Sequence, residues 1–154
     1  MLGRLLLFRV AAAVAGCAAL AVLVSLPARA EGTVQIQQAD GTLNRYNDVK
    51  IQILHQTLNV TTADGKGTLI IYRAACSYQG NIMACLPTGA TLVQGGDVSP
   101  IKIVSGTVYV NNTDNGEALP LSTMHVPAHS VVMALKTEKG TYITMNGSID
   151  KVTK

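Results

Sequence analysis

Apolar and polar positions alternate with a period of two along most of this chain. Val34-Gln35-Ile36 alternates, and Val49-Lys50-Ile51-Gln52-Ile53 does so over five residues. Leu58-Asn59-Val60, Ile101-Lys102-Ile103, Val108-Tyr109-Val110 and Ile143-Thr144-Met145 repeat the pattern. A period of two puts one side-chain set on each face of a strand, so these segments predict half-buried β-strands. Asp40-Gly41, Asp64-Gly65, Asn115-Gly116 and Asn146-Gly147 are turn dipeptides that divide the runs. Ala118 to Met124 contains Pro120, and Val126 to Leu135 begins with a Pro and is rich in Val, so neither reads as a helix. Gly-Thr-apolar triplets at Gly32, Gly41, Gly67, Gly106 and Gly140 read as a turn glycine followed by the start of a strand, not as a repeat. Leu92 to Pro100, with Gly95-Gly96-Asp97, is the most loop-like stretch. The expected fold class is all-β, one small sandwich or roll of antiparallel strands.

The first thirty residues depart from this pattern. Arg4 and Arg9 precede an apolar run from Val10 to Leu26, and Ala28-Arg29-Ala30 is an A-x-A cleavage site. That order describes a secretory signal helix. Residues 1–30 are therefore expected to be removed, leaving one domain at 31–154. The run of 17 residues is marginal for crossing about 30 Å of hydrocarbon, so no stable membrane span is expected after cleavage. Val14-Ala15-Gly16-Cys17 resembles a lipoprotein box, but the apolar segment continues through Leu26, so Cys17 reads as part of the signal. The expected location is periplasmic or secreted.

Composition matters mainly through what cleavage removes. The whole chain has 12 basic and 9 acidic residues, but Arg4, Arg9 and Arg29 leave with the signal. The remainder is formally neutral, so no nucleic-acid footprint is expected. It has neither Trp nor Phe after the signal, so its core must be aliphatic.

Cys76 and Cys85 remain after cleavage. If Gly80-Asn81 forms a two-residue hairpin loop, Gln79 faces Ile82 and Cys76 faces Cys85. Counting outward, the cysteines form a non-hydrogen-bonded pair, with Cα atoms about 4.5 Å apart and bridgeable. A structural disulfide is the expectation. Catalytic dithiols favour C-x-x-C at a helix start, which is absent, and two free buried thiols are the remaining reading.

Other candidate sites have ordinary readings beside them. His125 and His129 flank Pro127, and in an extended segment they stand about 13 Å apart, too far for one ion. Met124 beside His125 suggests Cu(I), but the set reads as two polar loop residues flanking a Pro, and no metal or cofactor is expected. There is no G-x-S-x-G elbow, and Asn146-Gly147-Ser148 reads as a turn. The acids are scattered in turn positions, so no catalytic pair is nominated and no enzyme is expected. Asn59, Asn111 and Asn146 open glycosylation-type triplets and read as turn and strand residues. Tyr72, Tyr78 and Tyr109 are candidates for a ligand-binding surface or for packing.

Gly32-Thr33-Val34-Gln35-Ile36-Gln37, Leu58 to Leu69 with its Asp64-Gly65 turn, and Thr137-Glu138-Lys139-Gly140-Thr141-Tyr142 resemble the strands and turns of FecR-type periplasmic sensor domains. The cysteine hairpin is not part of that pattern, and a cytoplasmic anti-sigma segment ahead of a retained membrane helix is not expected. The resemblance implies a β-rich, non-catalytic envelope module, and it carries over no ligand or site residue. The expected function is a non-enzymatic binding or interaction module of the bacterial cell envelope. Its partner would be an envelope protein or a small ligand. The alternative is an envelope lipid-handling protein of the lipopolysaccharide-transport β-jellyroll type, which requires an apolar groove between sheets.

Overall fold

The structure is a computed structural model that describes residues 32–72, 75–119 and 124–153. The signal segment, 1–30, lies outside the described residues, as do Cys17 and Pro120. Every regular element described is a strand, as the alternation predicts. In chain order they are β1 (Gly32–Gln37), β2 (Leu43–Leu54), β3 (Thr57–Thr61), β4 (Gly67–Tyr72), β5 (Ala75–Gln79) and β6 (Ile82–Leu86). There follow β7 (Gly89–Gln94), β8 (Asp97–Asn111), β9 (Glu117–Ala118), β10 (His125–Val126), β11 (Ser130–Thr137) and β12 (Tyr142–Thr153).

Ten strands form one sheet in the order β11-β12-β1-β2-β3-β4-β7-β8-β6-β5, and a β11–β8 pairing closes it into a barrel. The expected roll therefore closes on itself through β8, and β5, paired only with β6, remains a free edge. All pairings are antiparallel except that of β12 with β2.

The three longest strands make the corners. β2, β8 and β12 each pair with different neighbours in their two halves, so each belongs to both walls of the flattened barrel. Each carries a register shift at its bend, where an extra residue sharpens the local twist. On β2 the bend includes Asp48, at φ 60°. On β12 the extra residue is Asp150, whose Oδ2 accepts a 2.6 Å hydrogen bond from the Ile51 amide. The side chain thus takes an amide that the bulge leaves out of the ladder. β12 also passes unusually close to β1: a Cβ on Gly147 would collide with the Gly32 Cα and sit 2.8 Å from the Ile51 Cδ1.

Two assignments are corrected. Leu92 to Pro100 is no loop: it contains the end of β7, a turn at Gly95-Gly96 with positive φ at both glycines, and the start of β8. The glycines that suggested an open loop make a tight hairpin, with Gln94 opposite Asp97. Asn146-Gly147-Ser148 is no turn but the middle of β12, where glycine serves close strand approach.

Val49, Ile51, Leu58, Val60, Leu69, Ile71, Ile103, Val108, Met133, Leu135 and Ile143 pack in the barrel interior. Each such aliphatic side chain contributes about 1.5–3 kcal/mol relative to exposure. A smaller cluster of Ile82, Leu119 and Val126 lies beneath the β9–β10 hairpin. Fully buried Asn111 ties that hairpin down: its Nδ2 donates to the carbonyls of Asn115 (2.9 Å) and Val126 (3.0 Å). Its Oδ1 accepts from the Thr113 amide (3.1 Å) and hydroxyl (2.7 Å). Read from the sequence as an ordinary strand residue, Asn111 is in addition a fully buried and fully hydrogen-bonded core residue.

Candidate functional site

The β2–β3 ladder runs only from Lys50–Thr61 to Leu54–Thr57, so the first half of β2 pairs with β1 alone. There the wall of the barrel parts. A cleft of about 710 Å³ opens at this end, framed by β1, β2, β7, β8 and the β11–β12 turn. Its apolar lining includes Ile36, Tyr46, Leu69, Leu92, Ile101 and Ile143. Its polar lining includes Gln38, Asn44, Gln94, Lys102, Glu138 and Lys139. Alternation selects which side chains reach the cleft: Ile36 of β1 lines it while its neighbours Gln35 and Gln37 do not, and Asn44 and Tyr46, two apart on β2, both do.

A narrow apolar extension of about 60 Å³ runs inward past Val34, Val49 and Val60 and shares Ile36, Tyr46, Leu69, Leu92 and Gln94 with the cleft. A side opening borders Arg45, Asn47, Asp64 and Lys66. The turn at its edge is well built. Asp64 accepts from the Thr62 hydroxyl (2.6 Å) and the Lys66 amide (3.0 Å), and the Gly67 amide donates to the Thr62 hydroxyl (3.0 Å). The Thr62 hydroxyl first, then the Lys66 amide, hold the Asp64 carboxyl below its ordinary value. Across the mouth, Lys102 Nζ pairs with Glu138 Oε1 at 3.1 Å, with both side chains largely exposed.

The opposite end has a smaller apolar cavity of about 120 Å³, lined by Ile53, Leu58, Ile71, Met83, Cys85 and Val108 among others. Cys76 and Cys85 stand here at disulfide-bonding distance. They are register partners, as the Gly80-Asn81 loop predicts, with Cα atoms 4.1 Å apart. Gln79 faces Ile82, and Gly80 takes the positive φ (64°) that the turn needs.

The histidines are dispersed. His55, at φ 53°, occupies the β2–β3 turn beside the smaller cavity. His129 Nε2 lies 2.7 Å from Asp114 Oδ1, and its Nδ1 lies 3.4 Å from Asn112 Oδ1, on the surface. The ring of His125 packs on Gly116. Among the described residues, no group of three or more His, Cys, Asp or Glu is placed to hold a metal ion. Ser148 is the register partner of Ser130. The three nominated tyrosines do not make one platform: Tyr72 bonds Thr91 Oγ1 at 2.8 Å, Tyr78 is exposed on β5, and Tyr109 packs on the smaller cluster.

The cleft residues escaped the sequence reading because they come from strands far apart in the chain. The one available signal was Tyr46, the sole aromatic in the first half of β2. The chain matches no family model, no curated protein and no solved structure.

Proposed function

We propose that this chain is an exported, non-enzymatic binding module whose ligand occupies the cleft between the barrel walls. The cleft carries the reading: an apolar floor beneath a few polar side chains, in the volume range of small-molecule sites. Export is supported by the basic-apolar-A-x-A leader and by a cysteine pair at disulfide distance. No helix among the described residues is long and apolar enough to cross a membrane. The FecR-type resemblance agrees with a β-rich envelope module, and the Leu58–Leu69 segment that carries part of it borders the cleft.

Native mass spectrometry of protein recovered from the exported fraction tests the reading. A small molecule should accompany the wild-type chain and be absent from Leu92→Trp, which fills the cleft. Recovery from the cytoplasm alone, or an equal ligand load on both proteins, contradicts it. Envelope lipid handling is the second reading, favoured by the inter-wall groove that it requires.

A further inference from the structure

Charge is unevenly distributed around the cleft. The chain after residue 30 balances nine basic against nine acidic residues. The linings of the cleft and its side opening hold Arg45, Lys66, Lys102 and Lys139 against Asp64 and Glu138. Both carboxylates are engaged, Glu138 by Lys102 and Asp64 by Thr62 and the Lys66 amide. Lys139 makes no side-chain hydrogen bond or ion pair among the described residues. Asp40, in the β1–β2 turn, and Asp97, at the start of β8, lie outside both linings.

Inward, the chemistry reverses. The extension past Val34, Val49 and Val60 is almost wholly apolar and narrow. A sugar favours stacked aromatic faces, and Tyr46 is the only ring there. A peptide backbone would leave its amides unpaired against Val and Leu. A hydrocarbon chain has no polar group to strand. The site thus asks for an anion at the mouth and an alkyl chain within.

We infer that the cleft takes up a single-chain carboxylate amphiphile as a monomer. Its chain runs along Ile36, Leu69 and Leu92, and its carboxylate meets Lys139. This deepens the proposed function and rests on the cleft being the ligand site.

Isothermal titration of delipidated, oxidised protein from the exported fraction tests it with octanoate, laurate and palmitate below their micellar concentrations. Affinity should rise by up to about fourfold per added methylene until the cleft is full, then level off. Palmitate should bind one per chain and more tightly than hexadecanol. Lys139→Gln should weaken palmitate by about two- to fivefold, the range for an exposed charge pair. Leu92→Trp should abolish binding. Gln94→Trp, at an exposed rim position, gives the same block with little risk to folding, and circular dichroism checks both variants.

Equal affinity for hexadecanol and palmitate, or no effect of Lys139→Gln, overturns the proposal. So does attachment to phosphatidylglycerol vesicles that Gln94→Trp leaves unchanged, because the charge would then serve a membrane surface. If no carboxylate binds but a co-purifying molecule is still lost from Leu92→Trp, the ligand class is wrong and the binding-module reading stands. If both are absent, both fall.

Discussion

The two ends of the barrel are built from the same kind of strand and finish differently. At the disulfide end, the β2–β3 ladder runs out to Leu54–Thr57, and the cysteine-linked β5–β6 hairpin pairs with β8. The space left is about 120 Å³. At the other end the same β2 continues for several residues without β3, and the space left is about 710 Å³. Aliphatic content does not distinguish them, since both linings are rich in Ile and Leu. The difference is backbone pairing. A wall whose ladder stops early leaves apolar side chains facing a gap instead of one another.

The change expected to disturb the comparison most strikes the joint that both ends share. Gly147→Val would push a side chain into the Gly32 backbone and Ile51. Overpacking against backbone should lower unfolding free energy by about 3 kcal/mol or more. Urea denaturation measures it, and a loss below about 1 kcal/mol would show that β1 and β12 have room to separate.

Opening one end selectively is the next test. Replacing Cys76 and Cys85 together with Ser should cost roughly 1–3 kcal/mol, because the bond closes a loop of only about ten residues. Amide exchange should quicken in β5 and β6 and stay unchanged around Tyr46 and Leu92. Free thiols in the native oxidised protein would contradict the bond, and loss of ligand binding in the double mutant would move the pair from stability to function.

A smaller effect is expected from Lys102→Ala. Its ion pair with Glu138 is exposed on both sides, so stability should change by less than about 0.5 kcal/mol by thermal denaturation. A larger loss would mean that the mouth is braced by its rim.

The smallest effect is a pH response at the two turns of the cleft end. Asp64 has a folded-state pKa below its ordinary 3.8, held there by Thr62 and Lys66, and Asp40 is likewise lowered, mainly by the Thr42 amide. A lowered folded value means that the ionised form favours the turn. That contribution is complete well above 3.8 and disappears as pH falls through the folded value. Amide shifts of Thr42 and Lys66 should therefore move only in strong acid. Amides lining the smaller cavity, which contains no carboxylate, should move less than these two.

Of the two ends, the disulfide end was the legible one. A two-residue loop sets the register of everything it joins, so Gly80-Asn81 sufficed to bring Cys76 opposite Cys85. Val49 to Ile53 was legible for a similar local reason, since one face of that strand is buried. The cleft was not, because Ile36, Tyr46, Leu92 and Ile143 meet only through strand order. Local rules also misled where tertiary packing outweighed them. Asn146-Gly147 carries a turn signal, yet its glycine is there so that β1 can pass. Gly95-Gly96 suggested an open loop and made a two-residue hairpin.

The position of β1 also has a consequence in time. It lies between β2, its neighbour in sequence, and β12, the last strand described, with Thr33 opposite Asn146. The barrel therefore cannot shut until more than a hundred residues have been made and brought back to its first strand. Pairings of such long range are slow, on the order of milliseconds to seconds. A chain of this design completes its fold only after synthesis has passed β12, and up to that point the second edge of β1 has no partner strand.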